Sequence, residues 1–124
     1  MLTNSKATAM LPVVDMGRAR KFYEETLGLH GQVRPNGETL YQAGGTSFAL
    51  YQRTTPTKAD HTALSFEVKD IAAEMRALRS RGVSFEEYDL PGLKTVEGVC
   101  VLGAERAAWF RDSEGNTLCI HQDG

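Results

Sequence analysis

The sequence predicts an α+β fold: two tandem βαβββ modules that form a curved, incompletely closed mixed β-sheet barrel around a central cavity, with the helices outside. Three observations lead to this prediction. A strand-like segment that ends at an Asp is followed by a helical segment twice, at Asp15 and at Asp70, which are 55 residues apart. Each helical segment ends at a glycine, Gly28 or Gly82. Each glycine is followed by short β-like runs that turn residues separate.

Length and composition fit one globular domain. The chain has 124 residues, of which 41% are hydrophobic and 24% are charged, as in ordinary globular proteins. We therefore predict a single domain over residues 1–124, with module one at about 5–55 and module two at about 60–123.

Charge and hydropathy exclude two classes of partner. The formal net charge of −2 gives no summed positive field to hold a phosphate backbone, so we expect no nucleic-acid partner. No run approaches the roughly 18 apolar residues of a membrane span, and no apolar segment precedes the Ala-Thr-Ala triplet at 7–9 as it would in a signal peptide. We expect a cytoplasmic protein with no membrane partner.

The two predicted helices are amphipathic and carry recognisable end signals. Asp15 and Asp70 can accept hydrogen bonds from free N–H groups of a first helical turn, and Gly28 and Gly82 suit the left-handed position that follows a last turn. Apolar residues recur at helical spacing: Ala19, Phe22, Tyr23 and Leu27 in the first helix, and Ile71, Met75 and Leu78 in the second. We interpret these stripes as core positions rather than as a cofactor-binding surface.

Strands follow each helix. After the first we predict strands at 32–34, 39–42 and 47–52, with turns at Asn36-Gly37 and Gly44-Gly45. After the second we predict strands at 83–88, 95–102, 107–111 and 117–122, the last two joined by a turn at 112–116. The segment 86–98 contains Pro91 and two glycines and is either a lid over the cavity or a plain connector. Its acidic start, Glu86-Glu87, is interpreted as a solvated surface.

Three segments resemble the vicinal-oxygen-chelate superfamily, which includes glyoxalase I, bleomycin resistance proteins and extradiol dioxygenases. They are residues 11–15, the helix end at 22–28, and the closing segment 109–116, which runs Trp-Phe-Arg-Asp-Ser-Glu-Gly-Asn. The resemblance implies the predicted fold, a ligand cavity, and a homodimer that shares this cavity between its subunits.

The resemblance also identifies four positions at which the metal-dependent members carry His, Glu or Gln ligands. This chain has Thr8, Ala49, His61 and Cys119 there, and only His61 is a typical ligand. A metal that activates a substrate needs about three protein donors plus an open position. We therefore expect no cofactor; if a divalent metal binds, His61 and Cys119 would hold it, with His121 on the same side of its strand.

Strand alternation sorts side chains into a set that faces a helix and a set that faces the cavity. The predicted cavity combines an aromatic floor, small apolar walls and several polar groups, which suits a small, partly planar organic ligand. Its predicted residues are Thr8, Ala49, Tyr51, His61, Ser65, Glu67, Trp109, Arg111, Cys119 and His121.

Individual roles within this set stay open. Arg111 could pair with a ligand carboxylate or with Glu67. Trp109 could be a ligand platform or simply core. His61 could be a general base or a hydrogen-bonded cavity residue. Cys119 could be a nucleophile if its pKa were lowered, or a buried thiol like Cys100, and both cysteines lie in apolar runs that do not indicate a disulfide.

Three functions compete. The first is a metal-free protein of the bleomycin resistance type that binds a small organic ligand without transforming it; Arg111 argues against a cationic ligand. The second is a divalent-metal-dependent lyase or isomerase of the glyoxalase type, or a dioxygenase, using His61 with Cys119, His121 or Glu67. The third is an interaction or regulatory module with a collapsed cavity.

Overall fold

The computed structural model describes residues 1–124 and has the predicted α+β architecture, with two sheets, two α-helices and no closed barrel. The first half contains β1 (Ala9–Val13), α1 (Met16–Lys21), a π-helical continuation (Phe22–Thr26), β2 (Gly31–Val33), β3 (Thr39–Ala43) and β4 (Thr46–Gln52). The second half contains β5 (Thr62–Glu67), α2 (Ile71–Ser80), β6 (Asp89–Leu90), β7 (Leu93–Val96), β8 (Val99–Leu102), β9 (Glu105–Arg111) and β10 (Thr117–Gln122). No helix has the length and hydrophobicity of a membrane-spanning segment.

The two sheets repeat one topology. The first has the order β1-β4-β3-β2, and the second has the order β5-β10-β9-β8-β7-β6. In each half the strand before the helix pairs in parallel with the last strand, β1 with β4 and β5 with β10. A parallel pair requires a crossover connection, and the helix provides part of it. The internal repeat is thus confirmed.

The helix ends form as their local chemistry predicts. Asp15 and Asp70 accept hydrogen bonds from the backbone N–H groups of Arg18 and Ala73, at 3.0 and 3.1 Å. The first helix differs from an ideal α-helix because its last turn is a π-turn, in which Leu27 N–H donates to the carbonyl of Phe22 at 3.0 Å. Gly28 then ends it with a φ of 74°, a conformation that a Cβ would strain.

The second half corrects two strand predictions. Residues 83–88 do not form a strand; they contribute one isolated bridge, between Phe85 and Phe110. Residues 95–102 form two strands rather than one, because Glu97 and Gly98 have φ angles of 52° and 82° and reverse the chain. The second half therefore adds a short hairpin, β6–β7, to the edge of the larger sheet.

The helix-facing sides of both halves pack into one core. A single cluster of 15 buried residues draws on α1, α2 and both sheets. Across the junction, the Phe48 and Phe66 rings lie 6.2 Å apart and the Phe22 and Phe110 rings 6.5 Å apart. Burying a large apolar side chain contributes roughly 1.5–3 kcal/mol. The opposite side of each sheet, which we call its outer face, points away from this core.

Glu114, in the turn between β9 and β10, connects the two halves. This side chain is buried, and its Oε1 accepts hydrogen bonds from the backbone N–H groups of Val14 and Asp15 at 2.9 and 3.0 Å. Its Oε2 lies 2.8 Å from Nε of Arg18. Burial alone would raise the pKa of Glu114, but the Arg18 guanidinium and the two N–H groups outweigh burial and lower this pKa to about 2.

The rest of the 112–116 turn also binds the first half. Tyr23 Oη donates a 2.6 Å hydrogen bond to Oδ2 of the buried Asp112, and burial raises the pKa of this phenol above its ordinary value. Asn116 Nδ2 donates to the carbonyl of Pro12 at 2.9 Å. Buried polar groups are costly unless they are paired, so these bonds specify how the halves meet.

We expect Glu114→Gln to lower the free energy of unfolding by about 2 kcal/mol at neutral pH, because it removes charge-assisted hydrogen bonds from a buried acceptor. The folded-state pKa, about 2, lies below the ordinary value of 4.5, so ionised Glu114 stabilises the fold above pH 4.5. This contribution is lost as the pH falls from 4.5 through about 2. Urea unfolding at several pH values measures both effects.

The matched control is Glu105→Gln, because Glu105 is exposed and makes no ion pair within the chain. It should leave the free energy of unfolding nearly unchanged. A Glu114→Gln protein as stable as the wild type, or one whose deficit does not shrink as the solution is acidified, would contradict this role of Glu114.

Candidate functional site

The outer faces carry most of the predicted cavity residues. In β4, Phe48 and Leu50 lie in the shared core, so Ala49 and Tyr51 point outward. In β10, Leu118 and Ile120 lie in the core, so Cys119 and His121 point outward. The predicted alternation is therefore confirmed in both strands.

Two cross-strand rows organise the outer face of the second sheet. Ser65, Cys119 and Trp109 are register partners on β5, β10 and β9. Glu67 and His121 begin the neighbouring row, which continues to Ala107. Side chains directly opposite on one face have Cβ atoms about 4.5–5.5 Å apart. The sheet thus places a hydroxyl, a thiol and an indole beside an imidazole and a carboxylate.

The start of β5 departs from the predicted alternation. A bulge separates the pairs Thr117–Thr62 and Leu118–Leu64, so Ala63 packs against the core rather than facing outward. Thr62 takes the outer position and accepts a 3.0 Å hydrogen bond from Nε1 of Trp109. The extra residue of a bulge shifts side chains to the opposite face, and the predicted register from His61 to Ala63 is wrong for this reason.

His61 lies before the first residue of β5 and is exposed, with its Nδ1 3.3 Å from the carbonyl oxygen of the next residue. Counted by the internal repeat of 55 residues, Ala63 corresponds to Thr8, but the bulge shifts the register here and Ala63 packs against the core. Thr8 itself is exposed, just before β1.

One groove of about 750 Å³ brings together four of the predicted residues. It lies between the start of the first sheet and the edge strand β5, and its predicted members are Thr8, Ser65, Glu67 and His121. The other six do not line it: Ala49, Tyr51, His61, Trp109, Arg111 and Cys119. A single chain does not gather all ten into this groove, because the two sheets share a core through their helix-facing sides.

The ion pair of Arg111 on the second sheet differs from the pair with Glu67 that the sequence suggested. Arg111 Nε lies 3.1 Å from Oε1 of Glu86, not against Glu67. Ser65 Oγ and His121 Nδ1 form a 2.6 Å hydrogen bond. Glu86 therefore pairs with Arg111 while its side chain stays 36% exposed, and it remains a solvated surface residue.

Sequence reasoning missed Tyr88. Its ring lies edge-on to Trp109, with centroids 5.6 Å apart and an interplanar angle of 80°. Burial raises the pKa of its phenol. The base of the 86–98 segment is held by Glu87, whose Oε1 accepts from Thr95 Oγ1 and from Gly98 N–H, both at 2.7 Å. An aromatic residue in a segment that the sequence left open as either a lid or a plain connector was the available signal.

Cys119 is buried, and burial raises the pKa of its thiol more than the nearby Ser65 hydroxyl lowers it. A nucleophilic cysteine needs the opposite shift. Cys100 and Cys119 are both free thiols, as the absence of a disulfide pattern in the sequence predicts.

Comparison with known proteins identifies the fold and a family. Residues 7–120 match the family model described as Glyoxalase/Bleomycin resistance protein/Dioxygenase superfamily. No curated protein matches the chain in sequence.

Solved structures of several kinds share the fold. TnmS3, an antibiotic binding protein from Streptomyces sp. CB03234, is 24% identical with a TM-score of 0.73, over 98% of this chain and 99% of that one. The fosfomycin resistance protein FosX from Listeria monocytogenes is 13% identical with a TM-score of 0.73, over 98% and 94%. Lactoylglutathione lyase from Agrobacterium tumefaciens is 15% identical with a TM-score of 0.70, over 95% and 93%.

We expect Cys119 to react slowly with a thiol reagent such as DTNB in the native protein at neutral pH, because burial protects it and keeps it protonated. Cys100→Ser isolates Cys119, and Cys119→Ser isolates Cys100. In urea both single-cysteine proteins should react quickly. Fast reaction of native Cys100→Ser, at the rate of the unfolded chain, would instead restore the nucleophile hypothesis.

Proposed function

Because the chain belongs to the Glyoxalase/Bleomycin resistance protein/Dioxygenase superfamily, we propose that it binds a small organic molecule against the outer faces of its sheets. The observation that carries this proposal is the pair of rings on the second sheet. Trp109 is held by the hydrogen bond to Thr62 and by the edge of Tyr88. Both rings are only half-buried, so a planar ligand can stack where solvent now reaches them.

The polar groups beside these rings favour an anionic ligand. Arg111 lies on the same strand as Trp109, and its ion pair with Glu86 joins two partly exposed side chains. Such pairs contribute only about 0–1 kcal/mol. A ligand carboxylate can replace Glu86 and gain a charge-assisted hydrogen bond. An aromatic carboxylate is therefore the ligand class that we propose.

A second copy of the chain would enclose this ligand. The outer face of the first sheet carries Met10, which is 46% exposed, with the half-buried Tyr51 and the small Ala49. This partly exposed apolar face is a surface against which the rings of a second copy can pack. We propose a symmetric homodimer in which the first sheet of one protomer covers the second sheet of its partner.

Binding without turnover fits the donor chemistry at the family's ligand positions. Thr8 offers a weak hydroxyl donor, Ala49 offers none, His61 is exposed and lies before β5, and Cys119 is a thiol whose raised pKa disfavours the thiolate that metals bind. These groups do not make the three-donor set that a reactive divalent ion needs. The proposed activity is therefore recognition of a ligand rather than its transformation.

The test uses Trp109, the one tryptophan of the chain. Aromatic carboxylates should quench its fluorescence in a saturable manner, and amines with the same ring should not. Arg111→Gln should weaken carboxylate binding about 10-fold, since a charge-assisted hydrogen bond contributes about 1.5 kcal/mol or more.

Arg106→Gln is the matched control, because Arg106 is also exposed and lies on β9, where strand alternation turns it away from the outer face. It should bind like the wild type. If no aromatic carboxylate quenches Trp109, or if Arg106→Gln and Arg111→Gln lose affinity equally, the proposed ligand site is wrong.

A further inference from the structure

We propose that Glu67, His121 and Asp123 form a divalent-metal site at the edge of the groove. The three residues each contribute one ligand atom, and these atoms all lie within 4.8 Å of one another. The site lies within one chain, so it does not depend on the proposed ligand or on the homodimer. It also differs from the superfamily's ligand positions, which here correspond to Thr8, Ala49, His61 and Cys119.

Strand geometry brings the three side chains together. Glu67 and His121 are register partners on the parallel strands β5 and β10. Asp123 follows His121 by two residues, just beyond the end of β10. His121 Nε2 and Asp123 Oδ1 are 4.0 Å apart, too far for a hydrogen bond. Two donors that each lie about 2.1 Å from one ion are separated by about 3–4 Å, so small rotamer changes complete the site.

The imidazole is already oriented as a metal ligand would be. Nδ1 of His121 forms a 2.6 Å hydrogen bond with Oγ of Ser65, which leaves Nε2 free, 4.0 Å from Oδ1 of Asp123. Metal-binding histidines usually donate their second ring N–H to a neighbouring acceptor, and this bond fixes both tautomer and ring orientation. Ser65 can accept that hydrogen bond, so we assign it as the residue that positions His121.

The negative charge of the two carboxylates also favours a bound cation. The arginine ion pairs of the chain join Arg18 to Glu114, Arg20 to Glu24, and Arg111 to Glu86. Neither Glu67 nor Asp123 has an Arg or Lys partner within 4.0 Å, and His121 is the sole basic side chain at that distance from Asp123. Two carboxylates beside one imidazole carry negative charge that a divalent ion would offset.

The donor set selects the kind of metal. One imidazole nitrogen and two carboxylate oxygens suit Zn²⁺ or Mn²⁺ rather than a soft ion such as Cu⁺. Three protein ligands leave at least one coordination position open. Glu67 and His121 also line the groove of about 750 Å³, so an oxygen of a molecule in this groove can fill the open position.

The first experiment is a titration of protein that carries no histidine tag with Zn²⁺ and with Mn²⁺, followed by calorimetry and by NMR of the imidazole nitrogens. The chain has three histidines, and the signals of His121 should shift on Zn²⁺ addition while those of His30 and His61 should not. One Zn²⁺ should bind per chain. Ser65→Ala should weaken Zn²⁺ binding about 10-fold or more, as is usual for the partner of a metal-binding histidine.

Variants decide the ligand set. His121→Ala, Glu67→Gln and Asp123→Asn should each weaken Zn²⁺ binding more than Ser65→Ala does, and His61→Ala should not change it. The substituted side chains are all exposed or half-buried: His121, Glu67, Asp123 and His61. The four variants should therefore keep the wild-type circular dichroism spectrum and unfolding midpoint. No measurable Zn²⁺ or Mn²⁺ binding would overturn the proposal, as would binding that is lost in His61→Ala and kept in His121→Ala.

Discussion

The attachment of the 112–116 turn to the first half is the interaction on which the rest of the structure depends. Glu114 binds two backbone N–H groups and Arg18, and Asp112 receives the hydroxyl of the wholly buried Tyr23. These are long-range contacts, separated by about ninety residues or more along the chain. They hold the helix-facing sides of the two sheets against each other and create one core from two halves, neither of which would bury its apolar surface alone.

The same attachment determines which sheet surfaces remain for the ligand that we propose. The helix-facing sides are occupied by the shared core, and strand alternation has placed Trp109, His121 and Tyr51 on the outer faces. The shared core thus separates the side chains that hold the fold from those available for recognition. A cavity that encloses a ligand then requires a second surface, which a second copy of the chain can supply.

The structural features that the sequence predicts correctly are those that depend on residues close together in the chain. An Asp before a helix, a glycine after it and a glycine in a tight turn act through neighbouring residues, so Asp15, Gly28 and Gly115 behave as expected. The features that the sequence does not predict depend on contacts between segments that are far apart in the chain. The bulge at the start of β5 depends on how that strand pairs with β10. The contact between Arg111 and Glu86 depends on the bridge from Phe85 to Phe110 and on the hydrogen bond from Glu86 N–H to the carbonyl of Trp109, which place this segment beside β9. Neither strand pairing nor backbone bridge leaves a periodic signal in the sequence.

The most direct test of the proposed ligand site between two copies of the chain uses two variants that should each be unable to bind ligand. Ala49→Arg blocks the outer face of the first sheet, and Ser65→Arg blocks that of the second. The two variants are combined, unfolded and refolded together. Half of the dimers that form should contain one chain of each variant, and each such dimer has one unaltered pair of faces. The sample should therefore regain about a quarter of the wild-type binding sites. Quenching of Trp109 by an aromatic carboxylate measures this recovery. If the mixture binds no more ligand than either variant alone, the site does not form between two copies of the chain.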